Sequence, residues 1–457
     1  MAALSFLDRS HTVAAPGFSR WLVPPAALAI HLSIGQVYAF SVFKNPLLAL
    51  HGTDGSQWNL KEIGYIFSIA IAVLGLSAAL FGKWLERAGP RKAMFVSACC
   101  FGLGFEIAAA GASTHQLWLI YLGYGIIGGI GLGVGYISPV STLIRWFPDR
   151  PGLATGMAIM GFGGGAMIGS PLGTRLMAFY KAGGHAAIPS AWVTMGILYF
   201  IFMMFGVFTV RVPAEGWKPA GWTPPARQST MITSHSVEVN TAMRTPQFYF
   251  LWLVLALNVT AGIGILEQAS PMIQDLFHGQ VTAMAAAGFV GVLSLFNMGG
   301  RFAWASCSDF IGRKPTYMIF FAAGAILYFV LPYTATQMHS VALFVLIAGL
   351  LLSMYGGGFA TIPAYLRDMY GPYNVSAIHG RLLTAWSVAG IVGPLIVNGI
   401  LDHYIAMHLP REQAYPLILD IMAGLLVIGI FANLMVRPVA ERFWMKEQPN
   451  TAMRAAH

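Results

Sequence analysis

The sequence predicts an all-α polytopic membrane protein, and three observations carry that prediction. Apolar runs of the roughly 20 residues needed to cross a bilayer recur along nearly the whole chain. Charged residues are 9% of the 457, against about 25% in a soluble domain. The polar residues gather in short segments between the runs and in one long segment, 211–246, rich in Pro, Gly and Ser.

Twelve spans follow from the runs: 22–44, 62–83, 92–112, 115–143, 152–178, 189–210, 247–272, 282–306, 315–334, 340–366, 375–401 and 414–436. The composition of 211–246 reads as a mobile linker, giving a six-helix half at 1–210, a second at 247–437 and a tail at 438–457. Residues 1–20 are polar and the first apolar run is itself long enough to span, so no cleavable signal peptide is expected.

The formal net charge of +9 raises the question of nucleic acid, and its distribution answers it. With the N-terminus inside, 19 of the 26 Lys and Arg fall on the inner side and 5, including Lys44, on the outer side. Arg301 and Arg381 lie within spans. That is the positive-inside asymmetry of a membrane protein. It places both termini and the linker in the cytoplasm, and nucleic acid is not an expected partner. Cys99, Cys100 and Cys307 all fall in apolar spans, which suggests neither a disulfide framework nor a metal site.

The halves are repeats. Gly82-x-x-x-Glu86-Arg87-x-Gly89-x-Arg91 recurs as Ala305-x-x-x-Asp309-Phe310-x-Gly312-Arg313-Lys314 at an offset of 223. Pro139 matches Pro363, Gly156 matches Gly380 and Gly169 matches Gly393, each at an offset of 224. Parallel six-span halves are a transporter plan, with the substrate site between the halves near mid-membrane.

The sharpest polar feature lies in span 8, where LSLFNMGGRFAWASCSDFIGRK carries Asn297 and Arg301 one turn apart on one helix face. A buried Arg costs about 2.5–3.5 kcal/mol on insertion scales and is tolerated where it meets a partner, a cavity or an anion. Its guanidinium can grip a carboxylate bidentately, and Asn297 can orient it or bond the substrate. The competing reading is a structural Arg, snorkelling to the interface or paired with a buried carboxylate.

GKWLERAGPRK and its echo ASCSDFIGRK resemble the signature loop of the major facilitator superfamily. IGQVYAFSVFKNPL, GLGVGYISPVSTLIRWFPDRPGLATG and NVSAIHGRLLTAWSVAGIVGPL narrow the resemblance to the oxalate/formate antiporter family, related to the monocarboxylate transporters. Glu86, Ala305 and Phe310 depart from the usual motif residues. The resemblance implies the major facilitator fold, twelve helices in two pseudo-symmetric halves. It also implies secondary transport of small carboxylates across the prokaryotic cell membrane by alternating access, with no cofactor. In related monocarboxylate transporters an Arg on span 8 binds the anion, and Arg301 stands there.

Oxalate transporters of the family use a Lys on span 11 as a second cation, yet no Lys occurs between Lys314 and Lys446, and Trp386 falls at or beside that position. A dianion would leave a charge unpaired, so a monocarboxylate such as lactate, pyruvate or formate is favoured. Arg381, also on span 11, reads as a gate or interface residue, with a second substrate cation as the alternative. Tyr38, Tyr136 and Tyr355 are candidate pocket walls, or else packed aromatics. His31 and Glu267 are candidate proton sites, the first otherwise a hydrogen-bonded core His and the second an interface residue. Asn297 holds the place where some animal-type relatives carry a proton-coupling Asp, and Asn cannot titrate. Symport with protons and exchange with a second anion therefore both stay open.

Gly82, Glu86, Arg87, Gly89 and Arg91, with Asp309, Gly312, Arg313 and Lys314, are expected to latch the cytoplasmic faces of the halves. The glycines of span 5 read as close helix packing. A non-transporting membrane sensor on the same fold is the alternative from another class. No catalytic constellation supports an enzyme, and a monomer in the lipid bilayer is expected.

Overall fold

The computed structural model describes residues 2–52, 55–214, 216–222, 232–233 and 235–446. Among them there are no strands, only isolated bridges such as Val13 with Val212 and Val237 with Trp444.

Six spans come from α1 to α8. The first is broken: α1 (Pro24–Ile34) passes through a 3-10 stretch, Gly35–Ala39, into α2 (Ser41–Leu48). Then come α3 (Leu60–Ala88), α4 (Pro90–Ser113), and α5 (Leu117–Ile120) continued by π turns into α6 (Gly128–Trp146). The half closes with α7 (Pro151–Ala182) and α8 (Ala187–Thr209). The short α9 (Val239–Ala242) leads into the second half. There α10 (Pro246–Leu266) and α11 (Ala269–Leu276) share the seventh span, followed by α12 (Ala283–Ile311), α13 (Arg313–Thr336) and α14 (Val341–Tyr370). The eleventh span is α15 (Val375–Leu382) with α16 (Thr384–Ala406), and the twelfth is α17 (Tyr415–Met435). Eleven of the spans meet a strict length and hydropathy requirement; α12, which holds Asn297 and Arg301, is the twelfth long helix at 29 residues.

The sequence repeat is a repeat of structure. Helices α3 and α12 are both 29 residues, and each starts on a side-chain cap, Asn59 accepting from the Glu62 N–H and Thr282 from the Ala285 N–H. Both end on a glycine at positive φ, Gly89 at 84° and Gly312 at 91°. A Cβ is strained there, which explains the recurrence of Gly in the motif.

The described parts of 211–246 are pinned, unlike the mobile linker the composition suggests. Val212 exchanges hydrogen bonds with Thr12 and Ala14 at 2.8 and 2.9 Å, and Val237 donates to the Tyr370 carbonyl at 3.0 Å. Trp217 packs edge-on to Trp146 at 4.8 Å. Buried apolar side chains and these backbone partners hold each end of the segment to one half; residues 223–231 lie outside the described set.

The two halves meet chiefly through α7 against α12 and α3 against α15 and α16. Close approach is enforced by glycine: a Cβ on Gly75 of α3 would fall 2.3 Å from the Leu383 carbonyl oxygen, and one on Gly163 of α7 would fall 2.9 Å from Arg301 Nε.

Candidate functional site

Arg301 is completely buried, 0% exposed, at the seam between the halves. Gly163 of α7 and Gly356 of α14 make the slot it occupies: a Cβ on Gly356 would meet Asn297 Oδ1 at 2.4 Å and Arg301 Cγ at 3.0 Å. Asn297, one turn earlier, accepts from Arg301 Nε at 2.9 Å. That bond fixes the plane of the guanidinium, whose two terminal nitrogens turn towards the Tyr38 and Tyr136 hydroxyls without a well-formed hydrogen bond. Neither Nη1 nor Nη2 is paired with a carboxylate or a backbone carbonyl among the described residues.

A shell of rings surrounds this cation. Arg301 Cζ lies 5.4 Å from the Phe162 ring and 5.0 Å from Phe359, within cation–π range. Trp386 packs against Phe359 at 4.2 Å, Phe162 at 5.2 Å and Tyr136 at 5.2 Å. The Tyr38 and Tyr355 hydroxyls meet at 2.6 Å across the seam. Tyr38, Tyr136, Tyr355 and Trp386 are thus gathered around Arg301, all at most 2% exposed. The sequence reading overlooked Phe162 and Phe359. Each adjoins a glycine run (GFGGG and GGGF), and Phe162 is the repeat equivalent of Trp386 at an offset of 224, a signal that was available.

The polar atoms of the shell have one character. Besides the two Arg301 nitrogens, Asn297 Nδ2, Tyr136 Oη and Trp386 Nε1 are buried without a partner. Each can donate, and a buried unpaired donor costs about 1–3 kcal/mol, more if charged. Such a set fits an anion carrying several acceptor lone pairs and a small apolar body. Among the described residues no His/Cys/Asp/Glu cluster suited to a metal occurs.

His31 on α1 lies behind Tyr136, its ring stacked at 5.4 Å. A second buried histidine, His379, which the sequence reading missed, also faces Tyr136, at 6.2 Å, with Nε2 unpartnered.

Glu267 is far from that group. It ends α10 and pairs with Lys44 of α2, each side chain 1% exposed. Asn398 Nδ2 donates to Glu267 Oε1 at 3.3 Å, and Gln268 donates to Asn398 at 2.7 Å. Lys44 is therefore no loop cation: α2 carries it into the seam, where desolvation requires a partner. Lys44 and Glu267 are themselves repeat equivalents at an offset of 223.

Arg381 also stands apart. Its Nη1 donates to Asn240 of α9 at 2.8 Å and contacts Met243 Sδ at 3.0 Å. It lines a groove of about 760 Å³ with Leu80, Tyr249 and Trp252.

Of the loop-motif residues, Asp309 reaches the other half, accepting from the Gly152 and Leu153 N–H groups at 3.1 and 3.2 Å. Those are free donors at the N-terminus of α7, where the helix dipole favours an anion. Arg313 holds Asp309 at 2.5 Å and Asp368 at 3.1 Å, both within its own half. Arg91 donates to the Phe6 and Val210 carbonyls, and Lys314 to those of Leu434 and Val436, so these two also stay within their own halves. Orphan carbonyls at helix and chain ends are their nearest acceptors. Arg87 is exposed, Gly82 packs near Ala377, and Gly89 lies against Arg9. The side chain of Glu86 lies outside the described set. Arg367 adds a second link across the seam, donating to the Pro148 carbonyl at 3.2 Å. With Lys44–Glu267 closing one end and Asp309 the other, the central group is occluded.

Solved structures share this architecture. The proton:xylose symporter XylE aligns with a TM-score of 0.63 over 94% of this chain and 97% of its own, at 14% identity. The human organic anion transporter MFSD10 aligns at 0.62 over 92% and 100%, at 16% identity. Among curated proteins, the uncharacterized MFS-type transporter YhjX of Escherichia coli is 24% identical over 82% of this chain and 86% of its own. The oxalate:formate antiporter of Oxalobacter formigenes is 24% identical over 82% and 83%. The apicoplast pyruvate carrier 1 of Toxoplasma gondii is 23% identical over 70% and 66%. The family model described as Major Facilitator Superfamily matches residues 17–394, and the chain belongs to that superfamily of membrane transporters.

Proposed function

We propose that this protein carries small monocarboxylates across the cell membrane by alternating access, with Arg301 as the anion-binding residue. The observation that carries the reading is the fully buried Arg301 guanidinium, faced by tyrosine hydroxyls and unpaired donors but by no counter-anion among the described residues. A carboxylate bound bidentately satisfies both terminal nitrogens, and Tyr136, Trp386 and Asn297 supply the remaining donors. The aromatic shell suits a short apolar tail. One guanidinium balances one charge, and Arg381, held by Asn240 and Met243, is not in the shell to balance a second. Relatives named for oxalate, formate and pyruvate support the substrate class.

With the termini cytoplasmic, as the Lys and Arg distribution argues, Lys44–Glu267 is the extracellular latch. Asp309 on the α7 N-terminus is then the cytoplasmic one. Tyr38 and Tyr355 must part for the site to open, since their hydroxyls bond across the seam.

The test is counterflow in proteoliposomes with labelled lactate, pyruvate, formate and oxalate. The expected result is exchange of at least one monocarboxylate, abolished in Arg301→Gln. Exchange of oxalate with formate, lost in Arg381→Gln as well as Arg301→Gln, would favour the antiporter reading. Binding without exchange of any acid would favour a sensor.

A further inference from the structure

We propose that the groove beside Arg381 is a binding site for one anionic phospholipid of the cytoplasmic leaflet, seated across the ends of the two halves and favouring their closed arrangement. Only the choice of leaflet rests on the topology proposed above.

Arg381 follows Val375, the start of α15, by about 9 Å of helix. A charge at that depth of a span is costly unless water or an anion meets it. Its protein partners are neutral: Asn240 Oδ1 and Met243 Sδ both engage the same nitrogen, Nη1. Among the described residues no carboxylate forms an ion pair with it. Nε and Nη2 are left to meet a ligand.

The groove in front of these nitrogens, about 760 Å³, is far larger than a lactate or a pyruvate and is walled by both halves. Ala79 and Leu80 come from α3 of the first half, Tyr249 and Trp252 from α10 and Ala377 from α15 of the second. Leu80 is 77% exposed and Tyr249 58%. Both stand on membrane-spanning helices, so the mouth opens sideways to lipid. Its depth is that of the headgroups. The apolar stretch of α3 ends at Gly82, just past Leu80. Tyr249 and Trp252 stand in the first two turns of α10, at the level where amphipathic aromatics gather in a bilayer. Trp252 Nε1 donates to Thr384 Oγ1 at 2.9 Å, which holds the indole as a wall. Beyond the rim the surface is basic. Arg87 lies two turns past Leu80 on the same face of α3, Arg244 follows Met243, and both are exposed.

An anionic phospholipid matches each of these features. Its phosphate oxygens accept from Arg381 in charge-assisted bonds, its chains cover the apolar walls, and the basic rim adds the attraction that draws anionic headgroups to such segments. A free carboxylate would meet Arg381 and leave the walls wet. The lipid touches both halves only while α3 and α15 are together, as they are where a Cβ on Gly82 would lie 3.7 Å from Ala377 Cα. Alternating access parts these ends, so a ligand of both walls shifts the population toward the closed form.

The experiment offers delipidated protein in neutral detergent phosphatidylglycerol or phosphatidylcholine with identical acyl chains and counts retained lipid by native mass spectrometry. Detergent removes leaflet and topology from the question. The wild type should retain one phosphatidylglycerol about tenfold more tightly than phosphatidylcholine, the gain from one charge-assisted contact. Glycerol 3-phosphate, which has the phosphate and no tails, should not displace it. Arg381→Gln should bind the two lipids alike. Arg150→Gln, which removes an exposed cation that does not line the groove, should keep the preference. Should Arg381→Gln fail to fold, the wild type supplies a second reading in nanodiscs. Spin labels at the exposed Lys92 and Phe310, one on each half, in a cysteine-free background should show more of the short distance when phosphatidylglycerol replaces phosphatidylcholine. Equal retention of the two lipids by the wild type overturns the assignment, as does an unchanged preference in Arg381→Gln. Equal loss in Arg150→Gln would reduce it to diffuse attraction, and displacement by glycerol 3-phosphate would make the groove a small-anion site. An unchanged distance distribution overturns the closing effect.

Discussion

Glu267→Gln should spring the Lys44 end of the transporter open. In the closed seam both side chains are 1% exposed, and Glu267 is the acceptor Lys44 bonds. Gln keeps the size of Glu but leaves the ammonium buried beside a neutral amide. Breaking a buried pair in this way costs about 3–5 kcal/mol. The open state does not carry the penalty, because there Lys44 is hydrated. At 1.4 kcal/mol per factor of ten, the closed-to-open ratio should fall roughly 100- to 4,000-fold. Spin labels at the exposed Lys61 and His278, one on each half at this end, read the opening in a background where Cys99, Cys100 and Cys307 are replaced. The wild type should show a short distance and Glu267→Gln a long one. Lys44→Gln combined with Glu267→Gln removes both charges and should restore most of the short population. If the single variant leaves the distribution unchanged, or the double variant is as open as the single, the latch argument is wrong.

Three further outcomes follow from the same geometry. Arg301→Lys keeps the charge but loses one charge-assisted bond of about 1.5–3 kcal/mol, so anion affinity in binding or counterflow should weaken roughly 10- to 100-fold. Asp309→Asn removes the carboxylate from the α7 N-terminus, and labels at Arg87 and Phe310 should report opening of that end by about 1–2 kcal/mol while Lys61 and His278 stay close. Gly356→Ala forces a Cβ to 2.4 Å from Asn297 Oδ1 and should cost about 1–3 kcal/mol of thermal stability, with weakened anion binding in whatever folds.

The fold was legible because its signals are local or periodic: apolar run length, motif glycines, and an offset of 223–224 shared by three regions. Arg301 and Asn297 were legible because a helix turn puts them on one face whatever packs there. Lys44 was misplaced for the opposite reason. A Lys at the end of an apolar run looks like an interface residue, and its partner lies 223 positions away. Arg91 and Lys314 bond to backbone carbonyls of residues such as Phe6 and Val436, and composition carries no signal for which helix end will lie beside a given cation. His379 sat in a stretch already singled out by resemblance, but its depth between Tyr136 and the seam depends on how α15 docks.

The repeat explains where function departs from symmetry. Two pairs of equivalent residues meet across the seam, Phe162 with Trp386 in the shell and Lys44 with Glu267 at one end. Equivalent positions in two parallel repeats face each other only along the pseudo-twofold axis, so both pairs mark that axis, and the proposed substrate site sits beside it. Identical residues there would serve poorly: two lysines would repel, and two glutamates would too. The chain has kept the positions and differentiated the chemistry, opposite charges at the latch and Phe against Trp in the shell. Arg301 goes further, since its equivalent in the first half is Ala78. A single cation beside a symmetric axis binds one anion in one orientation, whereas a symmetric pair of cations would hold a dianion. Installing the counterpart tests the logic: Ala78 is itself buried in the core, so Ala78→Lys would place a second buried cation there. If charge count sets the substrate class, that variant should lose affinity for lactate and pyruvate and gain binding of oxalate. An unchanged preference in a folded Ala78→Lys protein would mean that the shape of the aromatic shell, rather than the count of cations, selects the anion.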